Sequence, residues 1–112
     1  NINWVGFYTV QPDGNLLLGP FQGKPACIRI KAGRGVCGTA LAEKKTLRVA
    51  DVHAFPGHIA CDSASRAEIV APVMKDGKVY AVLDVDSPFE DRFTAEDEAF
   101  LEKVDALLAE KF

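Results

Sequence analysis

This 112-residue chain has 3 Cys, 1 Trp and 1 Met, no surplus of basic residues and no long apolar run. Thirteen Lys and Arg against 16 Asp and Glu leave a net charge of −3, which provides no basic footprint for a phosphate backbone or an anionic lipid. Nucleic acid and membrane surfaces are therefore excluded as main partners. No apolar stretch approaches the ~20 residues of a membrane span, and the opening segment lacks the basic start of a secretory signal. Cys27, Cys37 and Cys61 are odd in number, too few for a disulfide scaffold and wrongly spaced for paired CxxC zinc knuckles. Such usage suits a reducing, cytoplasmic compartment, where a thiol is either a small buried hydrophobe or a working sulfur. The chain opens on Asn1 and its single methionine is Met74, so it is expected to start after processing or truncation.

What is present describes an ordinary globule. With 48% hydrophobic and 26% charged residues, and a length below the ~150 residues of a typical domain, residues 1–112 are expected to form one domain. A chain of this size buries about two thirds of its unfolded surface, enough for a core without staples.

Residues 1–10 read as a strand, because Trp4, Phe7, Tyr8 and Val10 are β-formers. The Gln-Pro-Asp-Gly-Asn turn at 11–15 then ties it into a hairpin with Leu16, Leu17 and Leu18. Residues 26–30 alternate as a short strand, 36–44 fit a short helix after a glycine-bracketed turn, and 46–49 form another strand. Residues 67–74 and 79–85 form a hairpin about Asp76-Gly77, a strong turn signal. Thr94 is a plausible N-cap, with Asp97 at the position where Glu or Gln usually completes a capping box. Phe100, Leu101, Val104, Leu107, Leu108 and Phe112 recur at helical spacing to the end. The expectation is an α+β fold: an antiparallel sheet of five or six short strands, flanking helices and a C-terminal amphipathic helix over one face.

Three carboxylates invite chemistry. Asp84 and Asp86 are two apart on an apolar strand, so both project from one face. If the two strands pair through Asp76-Gly77, Glu68 falls opposite Val85 or Asp86, and three acids crowd one end of the hairpin. Such a cluster binds a cation, an ammonium group or a proton, and at least one member has a raised pKa. The plainer reading places each acid at a solvated strand end.

The long stretch 50–65 has little periodicity and carries His53, His58 and Cys61; loops of that length are functional or disordered. Its His-x4-His-x2-Cys run suggests zinc, but the spacing is loose and another cysteine would have to complete the set. No metal or cofactor is expected. Asp51 and Asp62 can equally pair with the histidines as loop structure. Cys61 and Cys37 each open a candidate helix, where a thiolate is favoured, whereas Cys27 lies in a candidate strand. Each is alternatively an inert buried thiol. Trp4 is core filler or a pocket wall suited to a soft sulfur or a cation. The glycine-rich run at 33–38 lacks the GK[ST] ending of a phosphate loop.

The runs Asn-Trp-Val-Gly-Phe-Tyr (3–8), Leu-Gly-Pro-Phe-Gln-Gly-Lys (18–24), Gly-Arg-Gly-Val-Cys-Gly-Thr (33–39), Asp-Val-His (51–53), Gly-His-Ile-Ala-Cys-Asp (57–62) and Leu-Asp-Val-Asp-Ser (83–87) resemble the free methionine-(R)-sulfoxide reductases, small enzymes built on a GAF domain. The resemblance implies a single GAF-like catalytic domain that lacks an N-terminal helical segment carried by family members. It implies that Cys61 is the attacking thiolate, Cys27 its disulfide partner and Cys37 a third thiol of variously assigned role. It implies that Trp4 receives the substrate methyl group, while Glu68, Asp84 and Asp86 bind the substrate ammonium and hydrogen-bond the sulfoxide oxygen. Free methionine-(R)-sulfoxide is then the substrate and thioredoxin the reductant, and a homodimer is compatible with it. Two other readings compete: a GAF-type sensor that binds a small molecule without chemistry, and a thiol redox sensor.

Overall fold

The computed structural model describes residues 2–24, 27–55 and 65–111. Six strands, β1 (Trp4–Val10), β2 (Leu16–Gly23), β3 (Arg29–Ile30), β4 (Leu47–Val49), β5 (Ala67–Lys75) and β6 (Lys78–Ser87), form one sheet in the order β3-β2-β1-β6-β5-β4. Every neighbouring pair is antiparallel. Two helices, α1 (Gly35–Glu43) and α2 (Ala95–Ala109), and a short 3-10 turn at Val52–Ala54 complete the described elements. The α+β expectation with an antiparallel sheet and a C-terminal helix agrees with this architecture.

Local chemistry accounts for the joints. Asp76 and Gly77 both take positive φ, 54° and 78°, the pair of left-handed residues that closes a two-residue hairpin with the sheet's own twist. Helix α1 stops where Lys44 turns left-handed (φ 56°) and its N–H returns to the Ala40 carbonyl. At the start of α2, Thr94 Oγ1 accepts the Asp97 N–H while Asp97 Oδ2 accepts the Thr94 N–H at 2.8 Å. The shorter aspartate therefore completes the reciprocal box usually built with glutamate.

Period-two alternation divides the sheet into two faces. Under α1 lie Trp4, Tyr8, Leu16, Val70 and Val82, packed with Val36, Cys37 and Ala40 of the helix. On the other face Ile69, Leu83 and Val85 pack with Phe93 and with Leu101 and Val104 of α2. Leu16, Ile69, Val70, Val73 and Val82 are fully buried, each contributing about 1.5–3 kcal/mol relative to exposure.

Two details differ from the sequence reading. Among the described residues of the strand expected at 26–30, only Arg29–Ile30 is a strand; the Cys27 carbonyl accepts the Tyr8 hydroxyl at 2.9 Å, while the Ile28 carbonyl still accepts the Leu18 N–H at 2.8 Å. The apolar spacing of the last helix does not all face the sheet: Phe100 and Leu107 are 65% and 67% exposed. Leu101, Val104 and Leu108 pack inward, and Asp105 and Ala109 are the buried helix positions. Phe112 lies outside the described residues.

Candidate active site

Strand β6 is central, flanked by β1 and β5, so a side chain on its α1 face has no route to a sheet edge. Asp84 and Asp86 share that face. The β5–β6 register sets Glu68 directly across from Asp86 and Val70 across from Asp84, which brings all three carboxylates onto one patch. Glu68, Asp84 and Asp86 are 8%, 5% and 9% exposed, which overturns the reading of solvated strand ends.

Cys37 reaches this patch from the first turn of α1. Its Sγ–H donates to Asp84 Oδ2 at 3.3 Å and lies 3.9 Å from Glu68 Oε2. The glycines around it serve packing: a Cβ on Gly38 would stand 2.5 Å from the Lys31 carbonyl oxygen, and the Gly33 N–H donates to the Gly38 carbonyl at 2.8 Å. Gly38 thus lets the 31–34 turn fold tightly against the helix start.

The electrostatics follow from burial and like charge. Asp84 is pushed well above the ordinary carboxylate range, first by desolvation, then by the neighbouring charges of Glu68 and Asp86 and a proton shared with Glu68. Asp84 therefore keeps its proton to higher pH than an exposed aspartate does. Burial, followed by the charges of Asp84 and Glu68, also raises Cys37 well above an ordinary thiol. The thiolate expected from its place at a helix N-terminus is overturned, since burial beside two acids outweighs the helix dipole, which contributes at most about 2 kcal/mol.

Trp4 forms a wall of the same face. Its Nε1–H donates to the Lys24 carbonyl at 3.0 Å, and its ring stacks between Phe21 at 5.7 Å and Tyr8 at 6.0 Å. Gly6 makes room for it, because a Cβ there would meet the indole at 2.5 Å. Tyr8, not singled out as functional from the sequence, is buried here, and its hydroxyl is raised by desolvation and then by Cys37 and the acids. Its signal was available: Trp4, Gly6 and Tyr8 alternate on one face of β1. Cys27, whose carbonyl Tyr8 holds, is disulfide-bonded, whereas Cys37 is a free thiol.

Cys61, His58 and Asp62 lie outside the described residues. His53 sits in the 3-10 turn, where Asp51 Oδ1 accepts its backbone N–H at 3.1 Å, the loop-structure role considered for that aspartate.

A family model described as "GAF domain" matches residues 1–110. A crystal structure of free methionine-R-sulfoxide reductase from Neisseria meningitidis in complex with its substrate superposes with a TM-score of 0.96 at 47% identity, covering 99% of this chain and 67% of that one. The chain belongs to the free methionine-R-sulfoxide reductase family of GAF domains. Among curated relatives, Protein YtsP of Bacillus subtilis is 60% identical over 101 residues, 89% of this chain and 62% of its own length. Free methionine-R-sulfoxide reductase of Escherichia coli is 55% identical over 108 residues, 96% of this chain and 65% of its own length. The GAF domain described here thus spans a little under two thirds of these curated relatives. No helix among its described residues is long and apolar enough to cross a membrane.

Proposed function

We propose that this domain reduces free methionine-(R)-sulfoxide to methionine, with Cys61 attacking, Cys27 resolving, and Glu68, Asp84 and Asp86 binding and activating the substrate. The observation that carries the reading is the burial of Glu68, Asp84 and Asp86 together on one face, where desolvation and like charge raise Asp84 above the ordinary carboxylate range. A sulfoxide oxygen does not leave sulfur until it is protonated or strongly hydrogen-bonded, and an acid with a raised pKa beside it supplies that proton.

Attack of the Cys61 thiolate on the substrate, with the proton from Asp84, moves the oxygen to the cysteine and releases the thioether methionine. The resulting sulfenic acid condenses with the Cys27 thiol, losing water and forming a disulfide. A dithiol protein such as thioredoxin then reduces that disulfide by exchange and is itself oxidised. That Cys27 is the disulfide-bonded cysteine and Cys37 the free one supports this division of labour. Cys37 acts from the side, as a donor to Asp84.

Selection of the free amino acid follows from charge. Carboxylates that close around an α-ammonium gain an ion pair, whereas the amide nitrogen of a peptide methionine carries no charge to pair. The flat indole of Trp4 offers a surface on which the substrate methyl and sulfur can pack.

The test is turnover of free methionine-(R)-sulfoxide with a dithiol reductant. Wild type is expected to consume the (R) epimer, and Cys61→Ser to have no activity. Full activity in that variant contradicts the assignment of the nucleophile, and ligand binding with no turnover in wild type favours the sensor reading.

A further inference from the structure

The reaction proposed above leaves one buried nucleophile without a covalent role. Cys37 is free and buried, yet its sulfur sits against two carboxylates. The Sγ of Cys37 and one oxygen each of Glu68 and Asp84 lie within 4.8 Å of one another, and all three residues are buried. Among the described residues no Lys, Arg or His forms an ion pair with any of them. Asp84 Oδ1 is fully enclosed and has no hydrogen-bond partner among those residues, although Asp84 is only 5% exposed. A buried carboxyl oxygen that accepts no hydrogen bond is costly unless something arrives to use its lone pairs.

The donor set specifies the guest. One sulfur and two oxygens suit a borderline-soft divalent ion, and they exclude magnesium and calcium, which take oxygen alone. Zinc bonds of about 2.3 Å to sulfur and 2.0–2.2 Å to oxygen, at tetrahedral angles, put sulfur and oxygen ligands about 3.5 Å apart. Cys37 Sγ stands 3.3 Å from Asp84 Oδ2 and 3.9 Å from Glu68 Oε2, so both sulfur–oxygen separations lie within a few tenths of an ångström of what an ion requires. Three protein ligands leave the fourth tetrahedral position for water.

We propose that Cys37, Glu68 and Asp84 form a binding site for a thiophilic divalent cation of the Zn2+ class, separate in chemistry from the Cys27 and Cys61 redox pair. Its occupation excludes the substrate ammonium from the same carboxylates, so zinc is a reversible competitive inhibitor; that consequence rests on the reductase reading, whereas the binding itself does not.

The experiment uses Cys27→Ser/Cys61→Ser protein, in which Cys37 is the only thiol, titrated with Co2+ as a spectroscopic stand-in for zinc. One equivalent is expected to give a thiolate-to-cobalt charge-transfer band that Zn2+ displaces. Asp84→Asn in that background is expected to weaken binding by roughly a hundredfold or more, beyond the 10–100-fold typical of losing an outer-shell partner. Cys37→Ser is expected to abolish the band. Absence of the band in folded protein, or its persistence without Cys37, overturns the site. As a measurement independent of colour, Zn2+ is expected to raise the melting temperature of the double variant and not that of Cys37→Ser protein; equal shifts overturn the site as well. If cobalt binds but wild type does not turn over sulfoxide, the metal site stands and the reductase reading fails; if wild type turns over and cobalt does not bind, the reverse holds.

Discussion

Glu68 and Asp86 stand directly across from each other on β5 and β6, both buried on the face that α1 covers. A like-charge pair facing across a hairpin works against folding, and Asp84, also buried on that face, adds a third carboxyl group. Desolvation and the neighbouring carboxylates raise Asp84 and so favour its protonated form, and a proton held there is what the proposed chemistry consumes.

Neutral replacements in the cluster are therefore expected to separate activity from stability. Asp84→Asn removes the acid and should lower kcat by roughly 10²–10⁴-fold, the range of general acid catalysis. Burial and the neighbouring carboxylates already favour the neutral acid at Asp84, so the neutral amide changes little charge and the melting temperature should hold. Steady-state kinetics alongside thermal unfolding check this, and parallel losses in both would assign Asp84 a structural role.

The pH dependence has a fixed sign. Because Asp84 is raised, it is protonated below its elevated pKa and loses the proton as pH rises through it, so kcat should fall on the alkaline side. Wild type should show that falling limb, and Asp84→Asn should lack it.

Gly6 is the position at which a single methyl group tests the Trp4 wall. A Cβ there collides with the indole at 2.5 Å, so Gly6→Ala should displace the ring, cost about 1–3 kcal/mol of stability and raise KM. Tryptophan fluorescence should report the displacement, since Trp4 is the only tryptophan.

Asp105 gives a prediction away from the site. Desolvation and then Glu102 raise it to about 7, and neither carboxylate oxygen has a hydrogen-bond partner among the described residues. Between its unfolded value near 3.8 and about 7, the unfolded state binds fewer protons than the native state, so stability falls as pH rises through that window. Asp105→Asn removes the ionisation, and its stabilising effect should be greatest above pH 7 and shrink toward pH 4. A rise of several degrees in melting temperature is expected, at about 4 °C or more per kcal/mol for a domain of this size.

The carboxylate patch was legible because it depends on local rules. Asp76-Gly77 pins the hairpin, the hairpin sets the register, and the register brings Glu68 opposite Asp86. The placing of Cys37 was not legible, because it depends on α1 crossing a sheet whose central contact joins β1 to β6, a pairing between distant segments with no local signal. Cys27 was misplaced because alternation at 26–30 looks like a strand whether or not a tyrosine hydroxyl takes its carbonyl. Asp105 could have been found: with Leu101, Val104 and Leu108 it completes the i, i+3, i+4, i+7 stripe of α2, and an acid on that stripe marks a buried charge.

If the three thiols divide the work as proposed, mass spectrometry of the reduced protein after one equivalent of free methionine-(R)-sulfoxide should find one equivalent of methionine, a Cys27–Cys61 disulfide and an unmodified Cys37 thiol. A disulfide or oxidised sulfur at Cys37, with Cys27 left reduced, would overturn that assignment.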